Sequence, residues 1–335
     1  MDYQGKRILV TGGTGMIGRS LIDELVRRGA NKIYVASLDD NVTDLPKEAM
    51  HIKIDLTDFA KCLTLTDGIN YVFHLAGIKG SPKMCKEQPA SFMVPTIMFN
   101  TNMIEAARRN NVERFVYTSS VGVYSPAPLL KEDDVWKTFP SENDKFAGWA
   151  KRMGELQIEA YRAQYGLINY RIVRPTNIYG PYDNFDPANA MVIPSLIARV
   201  AAGESPLKVW GDGTQTRDFL YTDDCARGIV DVFESDEWEP VNLGSGTGYT
   251  IRDIVGKIIK YSDWKPEVVW DTSKPSGDKI RVLDTTRAKS LGINPVVSLD
   301  EGIKKTVEWF KRHGKKPSGR YNVFAQGLGC EDSSS

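Results

Sequence analysis

The chain has 335 residues, and its 43 lysine and arginine side chains are balanced by 43 aspartate and glutamate side chains, so its formal net charge is +0. At ~150 residues per domain, this length predicts about two structural units. A chain without excess positive charge lacks the field that holds nucleic acid or an anionic membrane surface, so we expect neither as a partner.

Hydrophobic residues make up 41% of the sequence, as in ordinary globular proteins, which excludes gross disorder and fibrous repeats. Residues 1–7 lack the apolar core of a signal peptide, and no apolar run approaches the ~18 residues of a membrane span. We therefore expect a cytoplasmic protein. The cysteines and histidines are scattered, at Cys62, Cys85, Cys225, Cys330, His51, His74 and His313. Their spacing predicts neither a disulfide framework nor a metal site.

The first half of the chain alternates β-rich runs with helical patterns. We expect strands at residues 7–11, 32–36, 51–54, 71–75, 114–118 and 168–174, and helices at residues 16–28, 97–109 and 146–165. Strands that alternate with helices form βαβ units. The sequence therefore predicts an α/β protein built on a Rossmann-type, doubly wound parallel sheet.

After Arg174 the pattern changes, because residues 175–187 have the Pro, Gly, Asn and Asp content of an irregular loop. Shorter elements follow, with helices expected at 192–202, 223–233, 251–261 and 299–312 and strands at 207–210 and 241–243. We interpret residues 1–174 as a dinucleotide-binding domain to which segments near 219–245 return. Residues 175–313 then form mainly a smaller α/β substrate-binding lobe, and residues 314–335 a tail.

A glycine-rich segment, GGTGMIG at residues 12–18, lies between the first predicted strand and the first predicted helix. Glycines in this context let the backbone approach a pyrophosphate, whose charge the helix N-terminus stabilises. We therefore predict a dinucleotide site. Its residues in this segment are Gly12, Gly15, Met16, Ile17 and Gly18.

Acidic residues follow the second and third predicted strands. The segment ASLDD at residues 36–40 contains no Arg or Lys, which favours the ribose hydroxyls of NAD over the phosphate of NADP, with Asp39 as the ligand. Asp39 and Asp40 could equally be solvated loop acids. Asp55, followed by Leu56, could lie near the adenine amino group or cap the next helix.

The fourth and fifth predicted strands end in small or hydroxyl-bearing residues. Leu75, Ala76 and Gly77 allow a cofactor ribose and phosphate to lie close, and we interpret the preceding His74 as a structural hydrogen-bonding group. Residues 118–120 are Thr-Ser-Ser, at the carboxyl edge of the sheet where ligands of doubly wound folds bind. The hydroxyl of Ser120 is suited to a substrate oxygen.

Several motifs together resemble the extended short-chain dehydrogenase/reductase family, in its branch of nucleotide-sugar epimerases, dehydratases and reductases. They are GGTGMIG at 12–18, HLAG at 74–77, TSSVGVY at 118–124, Lys151 and RPTNIYGP at 174–181. The second half is most similar to GDP-L-fucose synthase, through YGPYDNFDP at 179–187, VWGDG at 209–213, RDF at 217–219 and DTSKPSG at 271–277. The resemblance implies hydride chemistry at C4 of a nucleotide sugar with NAD, or alternatively NADP. It also implies a homodimer formed through the helices predicted near 97–109 and 146–165.

The family's acid–base tyrosine is missing. The resemblance implies a catalytic set of Ser120, a tyrosine four residues before Lys151, and Lys151 itself, but position 147 holds Ala147. Loss of positioned acid–base catalysis typically costs ~10²–10⁴-fold in rate. One explanation, which we favour because the other motifs are complete, is a deliberate tyrosine-to-alanine substitution in an otherwise intact enzyme. The other is a natural protein that is inactive or uses different chemistry.

Two further departures from the family pattern narrow the reaction that the resemblance implies. Val121 and Gly122 stand where fucose synthase has a cysteine and where other members have acidic residues, and Met191 stands where fucose synthase has a histidine. Inversion at C3 and C5, dehydration and decarboxylation are therefore not expected. What remains is 4-epimerisation, our first choice. The alternatives are a 4-keto-sugar reductase or dehydrogenase, and a nucleotide-sugar binding protein without catalysis.

The diphosphate of a nucleotide sugar requires cations. Arg217 and Lys274 match the family's motif positions for this contact, and Arg199 and Arg281 are weaker candidates. The resemblance also places further residues at the substrate. They are Ser120, Val121, Asn177 and Val192.

Overall fold

The computed structural model describes residues 1–40, 42–78, 84, 87–274 and 277–314. Apart from Gly314, the predicted tail lies outside the described residues, as do Cys85, Cys330 and positions 275 and 276 of the DTSKPSG motif. None of the helices in the described ranges has the length and apolar character needed to cross a membrane. The described ranges also contain no group of His, Cys, Asp or Glu that could hold a metal ion.

The described strands are, in chain order, β1 (Ile8–Thr11), β2 (Ile33–Ser37), β3 (Ala49–Lys53), β4 (Tyr71–His74), β5 (Arg114–Thr118), β6 (Tyr170–Pro175), β7 (Asn177–Tyr179), β8 (Leu207–Trp210), β9 (Thr216–Tyr221), β10 (Val241–Leu243), β11 (Gly248–Thr250), β12 (Val268–Asp271) and β13 (Ile280–Arg281). The described α-helices are α1 (Met16–Arg27), α2 (Phe59–Thr66), α3 (Pro89–Arg109), α4 (Lys145–Tyr165), α5 (Val192–Ala201), α6 (Thr222–Glu234), α7 (Ile251–Tyr261), α8 (Thr286–Ser290) and α9 (Leu299–His313). Short 3₁₀ helices cover Val121–Val123 and Glu132–Lys137.

The larger sheet is seven-stranded and parallel, with the order β10-β6-β5-β4-β1-β2-β3. Helices cover both faces, with α1 packed beside α6 on one face and α2, α3 and α4 packed together on the other. Strand order reverses at β1, the position at which ligands bind in doubly wound folds. The predicted Rossmann-type α/β fold is therefore confirmed.

A smaller lobe carries its own hydrophobic core, built on α5, α7, α9 and short strands. The periodicity of α7 shows why the sequence folds here: Ile251, Ile254, Val255 and Ile258 are buried at helical spacing. Thr250 opens this helix with a capping box, in which its hydroxyl and the Asp253 carboxylate satisfy each other's backbone N–H groups.

Several local predictions were wrong. The interval 175–187 is not wholly irregular, because it contains β7, which pairs with the unpredicted strand β9. Strands β11, β12 and β13 and helices α2 and α8 were also not predicted. Helix α3 begins at Pro89 rather than at residue 97, with a proline at its first position, where the missing N–H costs nothing, and with Pro95 inside it. These elements are stabilised by contacts with distant segments of the chain. Local sequence patterns give no information about such contacts.

One buried ion pair joins the sheet to α4. Arg174 on β6 is 1% exposed and Glu155 on α4 is 2% exposed. The guanidinium donates from Nη2 to Glu155 Oε2 at 2.7 Å and from Nε to Oε1 at 3.0 Å. It also donates to the Glu132 carbonyl at 2.9 Å and to the Tyr124 hydroxyl at 3.1 Å. Charge-assisted hydrogen bonds of this kind fix α4 against the strand beneath it.

Replacing Glu155 with alanine should destabilise the fold strongly, because the Arg174 guanidinium then stays buried without its counter-charge. We expect the free energy of unfolding to fall by about 3–5 kcal/mol, the usual cost of removing one partner of a buried ion pair. Urea unfolding followed by circular dichroism measures this loss. The matched control is Lys305→Ala, which removes an exposed ion pair with Glu301 and should cost about 0–1 kcal/mol. Similar losses in the two variants contradict this role for the buried pair.

Candidate functional site

The loops that follow β1 to β5 meet at the carboxyl edge of the large sheet. The strands end at the same level, because Thr11 pairs in register with Ala36 and His74, and His74 pairs with Tyr117. The Gly-rich turn, the acidic ends of β2 and β3, the HLAG segment and the Thr-Ser-Ser segment therefore border one cleft. This is the arrangement that the sequence predicted.

The turn at residues 12–18 has the geometry of a pyrophosphate cradle. Gly12 has φ +67, and a Cβ there would lie 3.0 Å from the Ala76 Cα, while a Cβ at Gly18 would clash with Gly13. A Cβ at Gly15 would meet only the Gly12 carbonyl, so the space above this residue is open. No side chain caps the N-terminus of α1 at Gly15, which leaves the N–H groups of Met16, Ile17 and Gly18 to a bound anion.

Of the two acids after β2, Asp39 is the one at the cradle. Its Oδ2 accepts a hydrogen bond from the Thr14 hydroxyl at 2.6 Å, which attaches it to the Gly-rich turn. Asp40 instead forms an exposed ion pair with Lys53 at 2.7 Å. The positions of the two acids are consistent with the predicted ribose contact at Asp39.

The hydrogen bonds of Asp55, which follows β3, exclude one of its two predicted roles. Its Oδ1 accepts hydrogen bonds from the Thr57 backbone and hydroxyl at 2.9 and 2.8 Å. The cap of α2 is Asp58, which accepts from the backbone of Ala60 and Lys61. The interpretation of Asp55 as a helix cap is therefore wrong, and its contact with adenine, like that of Leu56, stays a prediction.

Lys151 lies close to the HLAG segment and to the end of β5. Its Nζ donates to the Thr118 carbonyl at 2.9 Å, and a Cβ at Gly77 would lie 3.9 Å from the same nitrogen. Burial lowers the pKa of Lys151 to about 8. His74 is buried and hydrogen-bonded to Thr11 and Asn100 at 2.7 and 3.0 Å, in agreement with a structural role.

Leu75 and Ala76 complete the lining between the turn and Lys151. The Leu75 N–H donates to the Thr11 carbonyl at 3.1 Å, and the Ala76 N–H donates to the Thr11 hydroxyl at 3.2 Å. These bonds bring the backbone of the HLAG segment against the end of β1. The side chain of Ala76 is too small to fill the cleft there.

Ser120, Ala147 and Lys151 lie at the other end of the cleft. The Ser120 hydroxyl accepts a hydrogen bond from the Gly122 N–H at 3.1 Å, and a Cβ at Gly148 would clash with the Gly122 carbonyl, so α4 packs directly on this turn. Ala147 is half-buried and lies one helical turn before Lys151 on the same face of α4. The structure thus places alanine where the family's tyrosine is expected.

Two nearby tyrosines are not substitutes for the missing phenol. The Tyr117 hydroxyl accepts from the Asn100 amide at 3.0 Å and donates to the Lys151 carbonyl at 3.1 Å. The Tyr124 hydroxyl donates to Asn242 Oδ1 at 2.6 Å. Burial raises the pKa of both phenols above the usual value, so both stay protonated and engaged.

Four charged residues face one another beside the Ser120–Gly122 turn. Arg281 is ion-paired with both Asp144 and Asp278. Arg217 forms no ion pair within the described part of the chain. Burial and repulsion from Arg281 lower the pKa of Arg217 to about 10. Arg217 is therefore the better cation for an incoming anion, and Arg281 is already neutralised.

The remaining predicted substrate residues have different surroundings. Lys274 is exposed beyond β12. Arg199 binds Glu204 at 2.7 Å and the Lys208 carbonyl, so its guanidinium is already engaged, and its contact with the diphosphate stays a prediction. Asn177 donates its amide to the Asp218 carbonyl at 2.9 Å, and Val192 begins α5. Contacts of Lys274, Val121, Asn177 and Val192 with substrate stay predictions.

The comparisons with known proteins agree with this geometry. A family model described as "NAD dependent epimerase/dehydratase family" matches residues 8–244, which is more than half of the chain. The chain belongs to this family, a member of the nucleotide-sugar branch that the motifs predicted.

Similar proteins include a GDP-L-fucose synthase and UDP-glucose 4-epimerases. The GDP-L-fucose synthase of Escherichia coli (strain K12) is 33% identical over 322 residues, which cover 91% of this chain and 96% of that protein. The crystal structure of UDP-glucose 4-epimerase from Thermotoga maritima with UDP-glucose has a TM-score of 0.82 and 28% identity, covering 91% of this chain and 99% of that one. The Thermus thermophilus UDP-glucose 4-epimerase complex with NAD has a TM-score of 0.79 and 26% identity, with the same coverage of 91% and 99%.

The family resemblance also implies that Lys151 contacts the cofactor. NAD affinity should therefore fall as the pH rises through about 8, because the Lys151 ammonium loses its proton there. An anionic dinucleotide favours the charged form, so the loss approaches about tenfold per pH unit above the pKa. Isothermal titration calorimetry between pH 7 and pH 9.5 measures this change. Lys151→Met should weaken binding at pH 7 and abolish the pH dependence, whereas the exposed Lys145→Met should change neither. If the NAD affinity of Lys151→Met still falls as the pH rises, Lys151 is not the group responsible for the pH dependence.

Proposed function

We propose that the protein catalyses NAD-dependent redox chemistry at C4 of a nucleotide sugar, with 4-epimerisation as the reaction. The observation that carries this proposal is the meeting of the Gly-rich cradle with Ser120 and Lys151 in one cleft, which Arg217 borders from the smaller lobe. Binding of a dinucleotide and of a diphosphate can therefore occur on opposite sides of the same reacting centre.

The chain's own residues account for the cofactor site. The backbone at Gly12, Gly15 and Gly18 binds the pyrophosphate, Asp39 the adenosine ribose, and the Lys151 ammonium the nicotinamide ribose. A bound nicotinamide supplies a reversible hydride acceptor at the sugar carbon. The carboxylate of Asp39 would repel the phosphate of NADP, which supports NAD over the alternative cofactor.

The substrate lies between Ser120 and Arg217 in this proposal. The Arg217 guanidinium offers two parallel donors to the diphosphate and is not ion-paired in the described structure. The Ser120 hydroxyl orients the sugar oxygen at C4. Epimerisation needs no further protein group for carbon inversion, because the hydride is removed from one face of C4 and returned to the other.

A 4-keto-sugar reductase is the second candidate. The 33% identity to a GDP-L-fucose synthase favours it, whereas Asp39 and the NAD-complexed 4-epimerase at TM-score 0.79 favour epimerisation. Retention of the cofactor separates the two reactions. An epimerase regenerates its NAD in each turnover, while a reductase must exchange the dinucleotide.

The homodimer implied by the family resemblance also belongs to this proposal. Val94 and Met98 on α3 and Leu156 on α4 are large apolar side chains that are 53%, 43% and 43% exposed. The two helices pack side by side, so these residues form a surface that a second copy can cover.

The proposed reaction is tested by incubating the purified protein with UDP-, GDP-, CDP- and dTDP-sugars and following products by NMR. We expect a C4 epimer of one sugar, with NAD released from the protein on denaturation. Lys151→Met should reduce the rate at least a hundredfold, consistent with the ~10²–10⁴-fold contribution of positioned acid–base groups. The exposed Lys145→Met is the matched control. A product that forms only with added NADPH supports the reductase. The absence of product from any sugar, with this protein and with its Ala147→Tyr variant, contradicts both reactions.

Arg217→Ala should weaken binding of the nucleotide sugar by about tenfold or more, because a charge-assisted bond to phosphate is lost. Lys274→Ala is the comparison, because Lys274 is the other cation that the family motifs place at the diphosphate. This lysine is exposed, so its loss should change the affinity less than Arg217→Ala. Calorimetric titration with the nucleoside diphosphate alone is sufficient. Equal weakening by the two substitutions contradicts the selection of Arg217 as the principal cation.

A further inference from the structure

The proposed reaction requires a group that accepts and returns the sugar hydroxyl proton, and Ala147 cannot do so. The carboxyl group of Asp144 borders the place where that proton must move. A Cβ built at Gly122 would lie 3.5 Å from the Asp144 Cβ, 3.6 Å from its Cγ and 3.5 Å from the Ser120 Oγ. The Ser120 hydroxyl and the Asp144 carboxyl therefore flank the same glycine. We expect a substrate oxygen bound between the hydroxyl and the carboxylate to reach both groups.

The position of Asp144 at the start of α4 suits the role of the missing phenol. Asp144 is the residue immediately before α4, one turn ahead of Ala147 and two turns ahead of Lys151. These three positions share a helix face. Side chains of a helix lean toward its N-terminus, so a tyrosine at position 147 would direct its ring toward the space that Asp144 borders.

Asp144 is both held in place and accessible. Its Oδ2 is buried and ion-paired with Arg281, while the side chain as a whole is 30% exposed. Arg281 is fixed in turn by Asp278. The Oδ1 of Asp278 accepts hydrogen bonds from Ser141 at 2.9 Å and from Asn143 at 2.7 Å. Asp278 is thus engaged and only 7% exposed, which leaves Asp144 as the available carboxylate of this cluster.

We propose that Asp144 is the acid–base residue of this chain and acts where the family uses tyrosine; this inference rests on the proposed function. Asp144 Oδ1 accepts the proton of the C4 hydroxyl while the C4 hydrogen leaves as hydride to the nicotinamide ring, and C4 becomes a carbonyl. On return of the hydride to the opposite face, the protonated Asp144 gives its proton back to the C4 oxygen. The cycle conserves protons and electrons.

A double-substitution cycle at Asp144 and Ala147 tests this role. Asp144→Asn removes the proton acceptor with little change in shape, and we expect a rate loss of about 10²–10⁴-fold. Introducing Ala147→Tyr into Asp144→Asn should restore most of the rate, because the phenol supplies the lost group. Asp144→Asn should therefore cost less than about fivefold in the Ala147→Tyr background, a non-additivity that marks two groups doing the same task.

The binding of ligands separates catalysis from positioning. Asp144→Asn should leave the calorimetric affinities for NAD and for the nucleotide sugar within about threefold of the parent. Glu142→Gln is the matched control, since it makes the same charge change at a residue that is 84% exposed. Within the described ranges, Glu142 forms one ion pair, with Lys145 at 3.3 Å. It should leave rate and affinities unchanged.

Each of the other outcomes overturns the inference. Equal losses from Asp144→Asn in both backgrounds show a structural contribution, and an undiminished rate in Asp144→Asn shows that another group moves the proton. Activity that appears only after Ala147→Tyr leaves the proposed function standing and removes Asp144 from it. Inactivity of all four proteins on every sugar overturns both the inference and the function on which it rests.

Discussion

The buried guanidinium of Arg174 holds together the parts of the molecule from which the candidate site is built. It binds both carboxylate oxygens of Glu155 on α4, and it also reaches the Tyr124 hydroxyl and the Glu132 carbonyl in the segment that follows Ser120. The Tyr124 hydroxyl in turn donates a hydrogen bond to Asn242 on β10. The helix that carries Lys151 and the turn that carries Ser120 are therefore anchored to the same residue of the sheet.

This anchoring explains how one helix can serve both halves of the cleft. Lys151 reaches the end of β5 on the cofactor side, whereas Asp144, two turns earlier, faces Arg281 on the substrate side. Ala147 lies between them. A rotation or shift of α4 would separate all three from Ser120, and the close contact between Gly148 and Gly122 restricts such movement. Small residues at both contact points are what allow the helix to approach the turn.

Local patterns in the sequence were sufficient for the parallel sheet. Strand β5 is Arg114–Thr118, as the apolar run predicts, and helix α7 is Ile251–Tyr261, as its periodicity predicts. Strand β9 was missed although its residues Arg217 and Phe219 were singled out as part of a motif. Its pairing partners β7, β11 and β13 come from distant parts of the chain, so no short-range pattern reports them. The cap of α2 is a similar case. Asp55 and Asp58 are both acidic residues just before this helix, and only the structure shows that Asp58 accepts the hydrogen bonds of the cap.

The candidate site likewise contains residues that the sequence predicted and one that it did not. The glycine-rich turn, Asp39 and the Ser120–Lys151 pair follow from motifs at strand ends, and the structure brings them to one edge. Asp144 was not found, although its spacing of three residues from Ala147 and seven from Lys151 marks a shared helix face and could have indicated it. Its nearness to Gly122 depends on how tightly α4 packs on the turn, and its pairing with Arg281 depends on the smaller lobe.

A crystal structure of the protein with NAD and the nucleotide sugar that it binds most tightly tests the account most directly. We expect the pyrophosphate on residues 12–18, the nicotinamide ribose at Lys151 Nζ, the diphosphate at Arg217, and the C4 oxygen within hydrogen-bond distance of both Ser120 Oγ and Asp144 Oδ1. A dinucleotide bound away from the Gly-rich turn, or a sugar whose C4 oxygen is out of reach of Ser120 and Asp144, would contradict it.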